Sequence, residues 1–187
     1  MNNAYDLFQK SAESNKQLYT LLRFVCRCEH ATALTMNSYE SATAFLAAQC
    51  NVSRILNLGP IDEQAIEVYV KIAKELGINF KIDQLSDVFE TTEILYINTP
   101  AEGNYRAMEL GKYAEHVSKY IILPNTVAFA HKASQTIKLA DNIQPIGMVF
   151  GINHFLQNND DWFILEHDDH DPGMTVLVNR KNVGNAY

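Results

Sequence analysis

The sequence predicts a mixed α/β fold: a three-layer, doubly wound, mostly parallel sheet of seven strands that closes with an antiparallel hairpin. Short runs rich in β-branched and aromatic residues alternate with longer runs of helical periodicity, as strands and helices do in α/β proteins. Several short runs are nearly all apolar, such as residues 119–123 (KYIIL), which is typical of strands buried on both faces. The last two short runs, residues 162–166 and 174–178, lie too close together for a helical crossover and should pair antiparallel.

The composition is typical of a globular protein with one sizeable core. The chain has 187 residues, of which 47% are hydrophobic and 20% charged, and its net charge is −7. A chain of this length buries roughly 70% of the surface that it exposes when unfolded. Lys and Arg residues are scattered singly, whereas nucleic-acid backbones and anionic lipid surfaces select clustered cations. We therefore expect the protein to bind neither nucleic acids nor membranes.

The cysteines and the N-terminal sequence predict a cytoplasmic location. Cys26, Cys28 and Cys50 are too few, and odd in number, for a disulfide framework. They are expected to be buried thiols in a reducing compartment rather than zinc ligands. The first residues lack the charged-then-apolar pattern of a signal peptide, and no apolar run approaches the ~20 residues of a membrane span.

A helical extension is predicted before the α/β domain. In residues 4–28, apolar side chains recur at helical spacing, which predicts one or two helices. We assign residues 1–28 to this N-terminal helical extension and residues 29–187 to the α/β domain.

The alternation of strands and helices begins after the extension. The first five predicted strands are residues 31–36, 52–58, 79–83, 93–98 and 119–123.

Helices are predicted between these strands. Ser38 and Asp62 are expected to cap the first two, and Gly77 is expected to end the second in a left-handed conformation. Residues 103–117 are predicted to be helical.

The C-terminal third begins with residues 130–145, a polar stretch whose pattern favours no element. Residues 147–156 are predicted to be helical, and residues 162–166 and 174–178 to form the hairpin.

Several short segments resemble one branch of class I S-adenosylmethionine-dependent methyltransferases. Residues 92–99 (TEILYINT) and 116–126 (HVSKYIILPNT) are similar to the fourth- and fifth-strand segments of bacterial and viral cephalosporin-hydroxylase-like and sugar O-methyltransferases. Residues 41–46 (SATAFL) are similar to their first helix, and residues 161–167 and 173–177 to their terminal hairpin. The resemblance covers roughly residues 20–180 and implies the methyltransferase fold.

The resemblance also implies where S-adenosylmethionine would lie, because ligands of doubly wound folds bind at the carboxyl ends of the strands. The implied cofactor-binding residues are Thr35, Asn37, Ser38, Asn57, Gly59, Ser86, Asp87 and Asn98.

These positions depart from the pattern of the active enzymes. Thr35 and Ser38 stand where glycines let the backbone approach the cofactor. Ala33 stands at an acidic position, and Asn57 stands where a carboxylate accepts hydrogen bonds from the ribose.

The metal positions depart as well. Asn98 and Asn125 replace the carboxylates that some related enzymes use for a divalent metal, and amides neither bind hard cations as strongly nor act as general bases. No metal is therefore expected.

Other ligand-type residues have a functional and a plainer interpretation. Residues 167–171 (HDDHD) could hold a transition metal or form a solvated turn. His131 and Lys132 lie in the polar stretch after the fifth strand, a region that covers the substrate in similar enzymes. They either supply a general base or lie on a mobile surface loop.

Further candidates lie on two helices. Glu102, Tyr105 and Arg106 either line the ligand cleft or form an exposed first helical turn, and His154 is a packed or surface histidine.

Two function classes follow. In the first, the chain is a methyltransferase-fold protein with weak or lost catalysis that acts as a binding or assembly module for a small molecule or a protein partner, or as a homo-oligomer through its N-terminal helices or sheet edge. In the alternative, it is an active O-methyltransferase on a sugar or small hydroxylated acceptor. The sequence assigns no catalytic residue.

Overall fold

A computed structural model describes most of the chain. The described residues are 4–34, 39–48, 54–57, 63–82, 90–99, 103–130, 136–139, 142–145, 147–170 and 172–181. The chain divides into two compact units, Met1–Asn98 and Thr99–Tyr187. Within the described residues, no helix has both the length and the apolarity needed to cross a bilayer.

Among its described residues, the first unit contains four helices and four strands. Its elements are α1 (Ala4–Ser14), α2 (Gln17–Val25), β1 (His30–Leu34), α3 (Tyr39–Ala47), β2 (Arg54–Asn57), α4 (Glu63–Glu75), β3 (Asn79–Ile82) and β4 (Thr92–Ile97). All four strands overlap the predicted segments, and residues 4–28 form two helices.

The four strands are parallel and lie in the order β3-β2-β1-β4. On β1, Ala31 and Ala33 are fully buried, and Ile94 and Ile97 are fully buried on β4. Apolar side chains on both faces are expected of parallel strands covered by helices. The parallel α/β arrangement predicted for this part of the chain is confirmed.

The N-terminal helices pack on α3. Phe8 on α1, Leu21 on α2 and Phe45 on α3 are all fully buried, and α3 contacts both α1 and α2. Residues 4–28 therefore supply apolar side chains to the core of the first unit. Their assignment to a separate extension, 1–28, stays a prediction.

The end of α4 follows its sequence signal. Gly77 has a φ of 69°, and the amide of Ile78 donates to the carbonyl of Ala73 over 2.8 Å. Glycine adopts this left-handed conformation without a Cβ penalty, and the returning hydrogen bond satisfies a carbonyl at the end of the helix. The predicted helix terminator is confirmed.

Where the structure describes it, the second unit contains two helices and five strands. Its elements are α5 (Gly103–Tyr113), a 3₁₀ turn (Ala114–His116), β5 (Val117–Pro124), β6 (Thr136–Leu139), β7 (Asn142–Pro145), α6 (Met148–Gln157), β8 (Trp162–Asp168) and β9 (Met174–Asn179).

Three of these strands form the predicted antiparallel arrangement. β9 pairs antiparallel with both β5 and β8, which confirms the C-terminal hairpin. The 130–145 stretch contains a further hairpin, because β6 pairs antiparallel with β7.

The helix predicted over residues 103–117 is too long. The chain leaves α5 at Tyr113, turns through the 3₁₀ segment, and already enters β5 at Val117. Tyr113 and Val117 are both buried and four residues apart, so their spacing imitates a helical face although they belong to different elements.

Helices α5 and α6 approach closely at a glycine. A Cβ on Gly151 would collide with the carbonyl oxygen of Gly103 and lie 3.0 Å from the Cβ of Arg106. Gly111, on α5, has nothing within 4 Å of the same position.

This contrast predicts opposite effects of two alanine substitutions. Gly151→Ala should lower the free energy of unfolding by about 1–3 kcal/mol, the usual cost of overpacking. Gly111→Ala should raise it by up to ~1 kcal/mol, because alanine is the better helix former. Urea denaturation of both variants measures the difference, and equal effects would contradict the close approach.

Candidate functional site

The carboxyl ends of the four parallel strands meet at one edge of the first unit. In register, Ala33 on β1 pairs with Asn57 on β2 and with Tyr96 on β4. Asn57 in turn pairs with Ile82, the last residue of β3. Ligands of doubly wound folds bind outside these strand ends, so this edge is the candidate site.

The strand ends at this edge carry apolar or amide residues. The last residues of β1, β2, β3 and β4 are Leu34, Asn57, Ile82 and Ile97, and Asn98 follows. None of these five positions supplies a carboxylate. An amide can accept a hydrogen bond from a ribose hydroxyl, but without the strength that a charged acceptor gives.

Ala33 occupies the position at which the resemblance to methyltransferases implies an acidic residue. Its side chain is fully buried, so the end of β1 is a packed part of the core. A carboxylate there would need hydrogen-bond partners to offset the loss of its hydration.

Tyr96 links β4 to the first turn of α3. Its hydroxyl lies 3.0 Å from the Ser41 hydroxyl, and its ring meets Phe45 edge to face with centroids 6.0 Å apart. Both polar side chains are buried, and buried hydroxyls normally require such a partner. The sequence analysis did not identify Tyr96 as a residue of the site. The only signal for it is a phenol side chain within an otherwise apolar strand segment.

Most of the implied cofactor residues lie outside the described residues. These are Thr35, Asn37, Ser38, Gly59, Ser86 and Asp87. Asn57 is described as the last strand residue of β2, and Asn98 is half-buried just after β4. Register brings the ends of β2 and β4 to opposite sides of β1. The assignment of all eight residues to cofactor binding stays a prediction.

In the second unit, Asn125 follows β5 in a left-handed conformation. Its φ is 60°, which Asn tolerates better than most residues. The next amide, that of Thr126, donates to the carbonyl of Gly173 over 3.1 Å, so the turn after β5 rests on the loop between β8 and β9. His131 and Lys132 lie outside the described residues.

The two candidate site residues on α5 differ in exposure. Tyr105 is exposed, as expected of a first helical turn that faces solvent, whereas Arg106 is fully buried. Neither the cleft nor the exposed-turn interpretation anticipated this burial of Arg106. The guanidinium donates to Glu109 over 2.9 Å, and burial lowers the pKa of Arg106 while Glu109 opposes that effect. Glu102 lies outside the described residues.

His154 is exposed at the end of α6, with its ring stacked on Phe150 at 6.1 Å. The surface interpretation of His154 is therefore confirmed.

The acidic loop between β8 and β9 brings three ligand-type groups together. Ligand atoms of Asp168, Asp169 and His170 all lie within 4.8 Å of one another. His167 instead pairs with the Thr175 hydroxyl over 2.8 Å. Since Asp169 and His170 are exposed and His170 bonds Asp168 within the same turn, the geometry is also that of an ordinary Asx turn.

The charges of this turn shift two pKa values. The His170 amide, and then its ring, donate to Asp168 and lower the pKa of that carboxyl. The Asp168 hydrogen bond and the neighbouring charge of Asp169 raise the pKa of the His170 ring.

The cysteines agree in part with the buried-thiol prediction. Cys28 is buried and Cys26 is half-buried, and neither forms a disulfide bond. Cys50 lies outside the described residues.

No family model and no curated protein matches this chain. Several solved structures match this chain. An O-methyltransferase from Bacillus cereus in complex with S-adenosylhomocysteine has a TM-score of 0.59 and 12% identity, over 94% of this chain and 90% of its own. The O-methyltransferase TomG from Streptomyces achromogenes, involved in tomaymycin synthesis and in complex with S-adenosylmethionine, has a TM-score of 0.59 and 12% identity, over 90% and 80%.

A putative caffeoyl-CoA O-methyltransferase from Staphylococcus aureus is similar to the same extent. Its TM-score is 0.59 at 10% identity, over 93% of this chain and 91% of its own. At such identities the likeness concerns the fold. The chain has the mixed, mostly parallel, Rossmann-like α/β fold of class I S-adenosylmethionine-dependent methyltransferases, as the sequence predicted.

The acidic loop yields a prediction about pH. A raised His170 pKa means that the protonated ring is favoured in the folded state; this contribution is complete below the unfolded-state pKa and is lost as the pH rises through the folded-state value. Asp168→Asn should therefore lower the His170 pKa, and Asp169→Asn should lower it less. NMR titration of the His170 ring measures both, and a larger effect of Asp169→Asn would refute the order of causes.

Proposed function

We propose that this protein is a methyltransferase-fold protein with weak or lost methyl transfer that acts as a binding and assembly module. The observation that supports this function is the carboxyl edge of the parallel sheet. There a fully buried Ala33 is flanked in register by Asn57 and Tyr96, and Asn98 follows β4.

The chemistry of this edge disfavours tight cofactor binding. The ribose hydroxyls of S-adenosylmethionine would meet an amide at Asn57, and hydrogen bonds to charged acceptors are roughly twice as strong as neutral ones. The sulfonium cation would meet no carboxylate at the five strand-end positions. Amides at Asn98 and Asn125 cannot remove a proton from an acceptor hydroxyl near neutral pH.

The alternative function is an active O-methyltransferase for a sugar or small hydroxylated acceptor. The structural neighbours favour it, since several are O-methyltransferases and their structures include complexes with S-adenosylmethionine or S-adenosylhomocysteine. Binding of S-adenosylmethionine separates the two functions, because every methyltransferase of this kind must bind it.

Thermal denaturation with millimolar S-adenosylhomocysteine tests the proposed function. The unaltered chain should show no stabilisation, whereas a ligand at 100 times its Kd adds ~2.7 kcal/mol. A triple variant, Thr35→Gly, Ser38→Gly and Asn57→Asp, restores two glycines and one acid and should gain stabilisation by the ligand.

The matched control is Asn79→Asp. It adds the same charge at the first residue of β3, the opposite end of the sheet, and should not respond to the ligand. Clear stabilisation of the unaltered chain would favour the active enzyme instead.

For the assembly role, we propose a second copy of this chain as the partner, bound along β8. In the described part of the chain β8 pairs only with β9 and is the last strand in the sheet order, so its other side is paired with no further strand. Ile164 and Leu165 at the middle of β8 are 43% and 39% exposed. An exposed apolar edge strand is a ready template for pairing.

The charges along β8 favour an antiparallel partner copy. The far end of β8 is acidic, with Glu166 and Asp168, and Arg180 lies exposed at its beginning; Lys181 there already pairs with Asp161. A two-fold axis near Leu165 would bring the acidic end of one copy beside Arg180 of the other. The register shift between Ile164 and Glu166 leaves Leu165 as a bulge, which increases the local twist that such a partner must match.

Sedimentation equilibrium tests this association. The unaltered chain should dimerise with rising concentration, and Ile164→Lys should shift it toward the monomer, because a charge would be buried at the centre of the contact. Val70→Lys is the control, since Val70 is 45% exposed on α4 in the other unit. A purely monomeric chain, or equal effects of both variants, would contradict the β8 contact.

A further inference from the structure

Two hydroxyl groups meet inside the first unit, at the carboxyl edge of its parallel strands. Ser41 lies in the first turn of α3, and Tyr96 is the last residue but one of β4. Both side chains are buried, and their hydroxyl oxygens lie 3.0 Å apart. The pair therefore joins the start of a helix to the end of a strand, within one unit.

The register of the sheet places Tyr96 beside the end of β1. Tyr96 is the β4 partner of Ala33, and Asn57 is the β2 partner of the same residue. Residues directly opposite each other in paired strands share one face of the sheet. Phe45, one turn after Ser41, meets the Tyr96 ring edge to face. Helix α3 therefore packs on this face, with its first turn at the end of β4.

Packing alone does not require the two hydroxyls. Ala44 and Phe45 follow Ser41 by three and four residues, so they share its side of α3, and both are fully buried. Alanine in place of Ser41 and phenylalanine in place of Tyr96 would continue this apolar contact. A buried hydroxyl costs free energy unless it forms a hydrogen bond. What the hydroxyl pair adds to the packing is direction, because a hydrogen bond restricts the angle as well as the distance.

We propose that Ser41 and Tyr96 are positioning residues whose hydrogen bond fixes the first turn of α3 at the carboxyl edge of the first unit. This role rests on the proposed function, which takes that edge as the binding edge. Doubly wound folds bind ligands outside the strand ends, and the first amides of a helix have no acceptor within the helix. Where these amides point depends on how α3 is set against β4, so the pair determines part of the geometry that a ligand meets.

Tyr96→Phe tests the proposal, because it deletes one hydroxyl and keeps the ring. Amide hydrogen exchange, followed by NMR, should accelerate at Ala44 and Phe45, whose amides bond to carbonyls of the first turn of α3. The expected factor is about tenfold, the ratio that corresponds to one lost hydrogen bond. The amide of Ala48, which bonds to the carbonyl of Ala44 at the end of α3, should keep its rate.

Ser41→Ala shows whether the two hydroxyls act as a pair. Alone, it should accelerate exchange at Phe45 as much as Tyr96→Phe does. In the double variant it should add little, because the hydroxyl that it removes has already lost this partner. Factors that multiply to about a hundredfold in the double variant would show two independent hydroxyls and would overturn the proposal.

The matched control is Tyr69→Phe. Tyr69 is fully buried on α4 in the same unit, and its ring lies beside Phe80 of β3 with centroids 6.4 Å apart. This control removes the same atom and should leave the contrast between Phe45 and Ala48 unchanged. Equal acceleration of all α3 amides in Tyr96→Phe, or local acceleration in the control as well, would show that the pair contributes only to general stability and would overturn the proposal.

A ligand measurement separates positioning from local stability. In the triple variant described above, adding Tyr96→Phe should weaken the Kd for S-adenosylhomocysteine about tenfold, whereas adding Tyr69→Phe should leave it unchanged. Isothermal titration calorimetry measures both, and equal Kd values with and without the Tyr96 hydroxyl would overturn the positioning role. If the triple variant itself binds nothing, the explanation given for weak cofactor binding fails, and the exchange rates at Phe45 still decide whether the pair fixes α3.

Discussion

The backbone register of the four parallel strands is the constraint on which the rest of the first unit depends. Because β1 pairs with β2 on one side and β4 on the other, Ala33, Asn57 and Tyr96 are fixed side by side at one level of the sheet. A side chain cannot leave its level without moving a whole strand. The chemistry available at this level of the sheet is therefore decided by residue identity, and the three residues are an alanine, an amide and a phenol.

Charge is retained elsewhere in the molecule. The pair of buried Arg106 and half-buried Glu109 lies on α5, and Asp168, Asp169 and His170 cluster on an exposed turn. The first is internally paired and the second is solvated, so each fits a role in shaping the chain better than a role in acid–base chemistry. The fold itself rests on buried apolar strand residues such as Ala31, Ala33 and Ile94, and a fold does not by itself decide function.

Each strand segment that the sequence predicted overlaps a strand of the structure, because apolar runs are a local signal. The sequence predicted too long a helix at residues 103–117, because Tyr113 and Val117 happen to be spaced like one helical face. It also left the β6–β7 hairpin undefined, since those strands have four residues each. The burial of Arg106 could not be predicted at all, because it depends on Glu109 and Thr99 closing around it in three dimensions. The roles of Thr35, Ser38 and the other cofactor positions remain predictions.

Isothermal titration calorimetry of the unaltered chain with S-adenosylhomocysteine tests the central claim most directly. The lack of a carboxylate at the five strand-end positions named above predicts no saturable heat, which corresponds to a Kd weaker than about 1 mM and a binding free energy weaker than about −4 kcal/mol. A single-site isotherm with a Kd near 1 μM, about −8 kcal/mol, would contradict the account, because the amides and apolar ends of these strands would then suffice for the cofactor.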